Sequence, residues 1–135
     1  MKAKTIVAAV ILLVIGFAVY LTYNKPHRNP ENERGIAITA TELLRQFQHN
    51  EDSANLLYLD KTVVVSGKIV NITLNQENFP VVMLEAEGDE FGIQCTMQDS
   101  KINLQKNEFV TLKGICKGFL SDVIITNASI AQIKK

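Results

Sequence analysis

Two cysteines and two histidines are the residues with the widest chemical range in this 135-residue chain. Cys95 and Cys116 are separated by 20 residues, and no Cys-x-x-Cys occurs, so a dithiol exchange centre or a zinc ribbon has no basis in the spacing. Each cysteine falls on the apolar side of an alternating run. Two readings stay open: a disulfide between Cys95 and Cys116, which an exported location permits, or two buried thiols acting as small hydrophobes. Bridging requires Cα atoms within about 7 Å, which spacing alone does not supply. His27 lies in a polar stretch, and His49 lies near the end of a helical pattern where the helix dipole favours an imidazolium. A Cys–His nucleophilic pair would need an electropositive, accessible thiol, and an interior cysteine lacks that setting.

The acidic group Glu85, Glu87, Asp89 and Glu90 invites a calcium reading, but its order does not match an EF-hand loop, and a solvated hairpin end accounts for it. No metal site is expected, and no cofactor. Asn71-Ile72-Thr73 and Asn127-Ala128-Ser129 match glycosylation sequons, but both fall inside expected strands. The chain has no phosphate-cradling glycine loop, no serine elbow and no carboxylate pair in a pattern suited to acid–base catalysis. These absences argue against an enzyme.

The elements around these residues begin with "TIVAAVILLVIGFAVYLTY". Ile6 to Tyr23 is 18 residues without a charge, about 27 Å as a helix and close to the thickness of a bilayer core. Tyr20 and Tyr23 suit the headgroup region. A cleaved signal peptide ending at Gly16-Phe17-Ala18 is the rival reading, but the apolar run continues past Ala18 further than a signal core does. The expectation is an uncleaved anchor over residues 1–23. Lys2 and Lys4 face Lys25, Arg28 and Arg34 across the span, so positive charge does not set the orientation. A short amino-terminal tail is the easier one to leave in the cytoplasm. The remainder is therefore expected on the extracytoplasmic (periplasmic) side of the cell membrane, as a single-pass protein.

"NKPHRNPENERG" is polar and Pro-bearing, a linker within residues 24–38. A helical segment is expected over 39–60. Thr39 and Glu42 make a capping-box pattern, Ala40, Leu43, Leu44 and Phe47 share one face, and Asp52 or Ser53 caps a second short turn whose Ala54, Leu57 and Tyr58 continue it. From residue 61 to 135 the period becomes that of strands. "TVVVSGKIVNITL" is long, with a bend or bulge at Gly67. "FPVVMLEAE" and "FGIQCTM" follow, the latter alternating Phe91, Ile93, Cys95 and Met97. "QDSKINLQKNE" is a short helix or a loop. "FVTLKGIC" places Val110, Leu112, Gly114 and Cys116 on one face, and Gly118 with Ser121-Asp122 turns the chain into "VIITNASIAQI". Five strands, the first long and bent, with a break after the third, predict a mainly β fold: a five-stranded Greek-key barrel of the OB type, with a small open sandwich as the alternative.

"TATELLRQFQHNEDSANLLYLDKTVVVSGKI", "GIQCTM" and "KNEFVTLKGICKGFLSDVIITNASI" together resemble the tRNA_anti-like family of small exported or membrane-attached bacterial OB-fold proteins. The resemblance covers roughly residues 38–130. It implies a helix pair ahead of a five-stranded barrel and brings no catalytic residue. Many relatives carry a further cysteine where this chain has Ala128, so the resemblance does not carry a disulfide over to this chain.

OB barrels bind through their second and third strands and the loops that flank them. Here that points to Asn75, Phe79, Lys117, Phe119 and Ser121, with Phe79 and Phe119 either contact platforms or plugs for the barrel ends. A non-catalytic, membrane-tethered module with a protein, peptide or glycan partner is the expected function. Single-stranded nucleic acid is the alternative, and charge weighs against it. The 14 Lys and Arg less Lys2 and Lys4 leave 12 beyond the anchor, against 14 Asp and Glu, a net of −2. From Lys61 onward there are eight Lys and eight Asp or Glu, with no Arg, Trp or Tyr, a poor match to a basic groove lined by stacking rings.

Overall fold

A single long strand organises the barrel. In the computed structural model, which describes residues 2–24, 30–86 and 92–134, β2 (Thr62–Leu74) pairs on one side with β5 (Phe109–Phe119) through Thr62–Lys68. It then pairs on the other side with β3 (Pro80–Glu85) through Ile69–Leu74. That handover lets the sheet close on itself into a ring. β4 (Gly92–Met97) and β6 (Val123–Lys134) complete the ring β2-β3-β4-β6-β5-β2, with β4 and β6 parallel and the other barrel pairs antiparallel. The expected five-stranded OB-type barrel is present.

The alternation read from the sequence sets the inside. Val63, Val65, Ile69, Val82, Leu84, Ile93, Cys95, Met97, Val110, Leu112, Cys116 and Ile125 are all buried in one core. Gly67 faces α2 (Ala40–His49), where a Cβ would stand 3.0 Å from Ala40 Cβ and 3.2 Å from Leu84 Cβ, while the register shift of β2 falls further along, between Ile69 and Asn71, and not at Gly67 as expected. The missing side chain lets the helix approach.

α2 starts as the sequence indicates, with Thr39 Oγ1 accepting the Glu42 N–H at 3.2 Å. Ala40, Leu43, Leu44 and Phe47 are buried, each of the larger three contributing about 1.5–3 kcal/mol relative to exposure. Their face packs on β2, β3, β4 and β6, so α2 plugs the barrel. The second short helix, α3 (Glu51–Tyr58), is capped by Asn50, whose Oδ1 accepts the Ser53 N–H at 3.0 Å, and not by Asp52 or Ser53. Ala54 and Tyr58 are buried as expected, whereas Leu57 is 53% exposed. The short helix turns only one narrow stripe inward. Residues 98–108 form a loop.

Two further features depart from the sequence expectation. The stretch assigned to the linker ends in a strand, β1 (Ile36–Thr39), which pairs parallel to Val63–Ser66 of β2 and lies outside the five-stranded ring. Ahead of it the 3-10 turn Pro30–Asn32 packs on β5 and β6. Glu31 accepts from Gln98 Nε2 at 2.7 Å, its carbonyl accepts from Lys113 Nζ at 3.0 Å, and Glu33 accepts from the buried Thr62 hydroxyl at 2.6 Å. The amino-terminal helix α1 (Lys2–Tyr23) is 22 residues long and buries none of its side chains. Its length and apolar composition suffice to cross a membrane.

Candidate functional site

Asn75 shapes the β2–β3 turn. Its Oδ1 accepts the N–H groups of Glu77 and Phe79, both at 2.9 Å, and its own N–H donates to the Phe79 carbonyl at 3.0 Å. Those bonds are those of an Asx-type turn, with Asn78 in the left-handed region at φ 64°. Phe79 is half-buried beside them. In the β5–β6 hairpin, Lys117 is exposed and paired with Asp60 at 2.9 Å, and Ser121 is exposed. Phe119 is half-buried against the core, its ring stacked on Phe47 with centroids 6.1 Å apart and planes at 27°. Phe47 in turn meets Tyr58 at 6.1 Å. Phe119 thus extends the plug that α2 makes. Gly118, at φ 105°, sits within β5 at a register shift, and the turn itself is made by residues 120–122.

The structure does not bring these five residues together. The 75–79 turn lies at the Val81↔Thr96 end of the β3–β4 pair, while the 120–122 turn lies at the other end, where Asp122 Oδ1 accepts the Gly92 N–H at 2.9 Å. Six residues of β4 separate them, roughly 20 Å. Between them the outer face presents Met83, Gln94 and Ile124 in one cross-strand row, with Thr96 beside it. Neither β3 nor β4 contains an Arg, a Lys or an aromatic ring.

The cysteines are free and buried. Both lie opposite Ile125 in register, Cys95 from β4 and Cys116 from β5, so β6 runs between them. Two inter-strand spacings amount to about 9–10 Å, beyond the roughly 7 Å that a bridge tolerates. Of the two readings, this arrangement matches the buried thiols. Burial foremost, with the neighbouring Cys116 second, pushes the Cys95 thiol up to about 12, and burial also raises Cys116. Thiols held protonated in this way are poor nucleophiles. His49 is exposed at the end of α2 and shares no hydrogen bond with either cysteine among the described residues. His27, Glu87, Asp89, Glu90 and Phe91 lie outside the described residues. Within the described residues no group of three or more His, Cys, Asp or Glu is placed to hold a metal.

One cluster escaped the sequence reading. Phe109, 40% exposed at the start of β5, pairs in register with Lys68 of β2 on one side and Lys134 of β6 on the other. Lys134 Nζ lies 5.8 Å from the ring centroid, a cation–π contact. An open groove of about 710 Å³ runs beside the ring, lined by Thr39, Thr41, Ser66, Lys68 and Glu85. The signal was present in part, since placing Val110 and Leu112 inside puts Phe109 outside. The flanking lysines emerge only from the register.

A family model matches residues 1–130, described as tRNA_anti-like. The chain belongs to the tRNA_anti-like family. Eleven chains of known structure match this family member. One is a crystal structure from Klebsiella pneumoniae subsp. pneumoniae MGH 78578, described as a "putative nucleic acid-binding lipoprotein". It is similar at a TM-score of 0.56 with 19% identity, over 71% of this chain and 92% of that one. At that identity the likeness concerns the fold. No curated protein matches the sequence.

Proposed function

We propose that this tRNA_anti-like protein is a membrane-tethered, non-catalytic binding module of the bacterial envelope, with its barrel on the extracytoplasmic side and a protein, peptide or glycan as partner. The observation that carries the reading is α1: 22 apolar-rich residues, none buried, precede a barrel whose own core is already closed by α2. Such a helix needs an apolar surrounding that the barrel does not provide. Thiol catalysis is disfavoured in this reading because both cysteines lie inside the barrel. Protease digestion of spheroplasts tests the orientation. The barrel is expected to be degraded with the membrane intact, and its survival until detergent is added would refute the assigned side. Photo-crosslinking in intact cells tests for a partner.

A second reading is favoured by the Lys68–Phe109–Lys134 row and by the description of the Klebsiella structure. One exposed ring between two cations fits a stacked base flanked by phosphates. In this reading a short single-stranded oligonucleotide binds at low ionic strength, binding falls steeply with salt, and Phe109→Ala together with Lys134→Ala abolishes it. Absence of salt-dependent binding removes it.

A further inference from the structure

The end of β6 is a strand with one edge unused. β4 accompanies β6 only as far as Met97↔Ala128, and the last backbone bond on that side runs from the Gln98 N–H to the Ala128 carbonyl at 2.9 Å. Beyond it, among the described residues, no backbone group pairs with that edge. On its other edge β5 stays paired out to Phe109↔Lys134, so residues 129–134 are held extended. At about 3.3 Å per residue this template suits five or six residues of a partner strand.

A register shift gives the template a floor. Leu112 faces Ile130 and Thr111 faces Gln132, which leaves Ala131 as the extra residue of a bulge. Ile130 and Ile133, three apart, therefore share the face of the buried Leu112 and Val110. They are 37% and 36% exposed, apolar side chains turned to the core side where the core has ended.

The opposite wall is the loop after β4, and it is built in place. Leu104 is buried, the Asn107 N–H donates to the Ile69 carbonyl and the Ile69 N–H to the Glu108 carbonyl, both at 2.8 Å, and Glu108 accepts the Gln105 N–H at 2.8 Å. The amide side chains of Asn103, Gln105 and Asn107 line a groove of about 510 Å³ whose other side is Ile130, Ile133 and Lys134. That size is within the range of ligand-binding clefts.

We propose that this groove takes an extended peptide segment of a partner protein, added as a strand to the free edge of β6 between Ser129 and Lys134. The proposal rests on the binding-module reading and names its partner class. An open strand edge offers alternating N–H and C=O groups that a polypeptide backbone matches in kind. The amides of the far wall both donate and accept, as peptide groups do, and the two isoleucines receive apolar side chains. A polyanion is disfavoured, since Lys134 shares the groove with Glu108. A second copy of the chain is disfavoured too: its β6 would bring β5 along, and a slot with walls on both sides admits a lone strand.

The test uses the full chain in nanodiscs and a displayed library of random heptapeptides. Selected peptides are expected to slow hydrogen exchange of amides within 129–134 and to leave 75–79 and 120–122 unchanged. N-methylation of alternate peptide amides is expected to weaken binding tenfold or more, with little effect at the intervening ones. The double variant Ile130→Asp, Ile133→Asp is expected to lose binding tenfold or more while exchange of the β2 and β5 amides stays native, which separates lost binding from misfolding. Protection confined to another surface, uniform tolerance of N-methylation, or dimerisation through β6 would overturn the proposal. Photo-crosslinkers at Ile133 and at Thr96 in intact cells then divide the failures. Capture only through Thr96 overturns the β6 site and leaves the binding module standing; capture through neither overturns both.

Discussion

Replacing Phe119 by alanine separates a plug from a platform. The ring is half-buried, stacked on Phe47, and joined through it to Tyr58. Full burial would put a Phe→Ala change at about 3–5 kcal/mol. Partial exposure lowers the transfer part, while loss of the stacked pair adds about 0.5–1.5 kcal/mol. A destabilisation of about 2–3 kcal/mol follows, and at roughly 4–8 °C per kcal/mol for a domain this size the melting temperature drops on the order of 10–20 °C. The assay is thermal unfolding of the full chain in detergent micelles, followed by near-ultraviolet circular dichroism, to which Tyr58 in the same cluster contributes. Phe109→Ala is the matched control: its ring is more exposed and packs on Lys134, so its cost stays within about 1 kcal/mol. A melting temperature for Phe119→Ala within about 2 °C of the parent would show that the ring does not close the barrel, and the plug argument would fail.

Unfolded, unreduced protein is expected to titrate two thiols with a chromogenic disulfide, and one bridge in place of them would refute the placement of β6 between Cys95 and Cys116. Because Cys95 is raised from 9.0 to about 12 in the fold, the unfolded chain releases its thiol proton first, so stability holds below pH 9 and declines as pH climbs toward 12; denaturant midpoints across that range check the sign, and Cys95→Ala removes part of the slope. Gly114→Ala is expected to cost about 1–3 kcal/mol, since a Cβ there would stand 2.5 Å from Ile125 Cγ2 and 2.9 Å from the Thr126 carbonyl oxygen; urea unfolding measures it. Thr39→Ala is expected to cost about 1 kcal/mol by removing the acceptor for the Glu42 N–H, and Thr39→Ser only a small part of that, read from the same urea curves.

Periodic features were legible in the sequence because burial writes them there. α1 shows as an unbroken apolar run of bilayer length, and the apolar face behind the Thr39–Glu42 cap and the inward set of each barrel strand repeat at the spacing their geometry imposes. What escaped depends on partners far along the chain. "IAIT" is too short to declare itself, and it is a strand because Val63–Ser66 lies beside it. Asn50 and Ser53 both suit a helix cap, and only the backbone angle at Asn50 chooses between them. Asn75 and Ser121 fall in turns and Phe79 closes the first of them, whereas Lys117 and Phe119 belong to β5, and strand order puts the two turns at opposite ends of one face. Phe109 gained its lysines, and Ile130 its neighbour Ile133, through register alone.

The route by which the chain enters the barrel has a mechanical consequence. Before β1 begins, residues 30–35 are already fastened to the barrel, among other contacts through the Glu31 carboxylate to Gln98, the Glu31 carbonyl to Lys113, and Glu33 to Thr62. Force arriving along the chain from α1 is thus divided among the barrel wall at β5, the end of β4 and the start of β2, instead of peeling one strand from its end. Weakening those fastenings would let the same force reach β1 first, and the domain would yield at lower load with its core chemistry untouched.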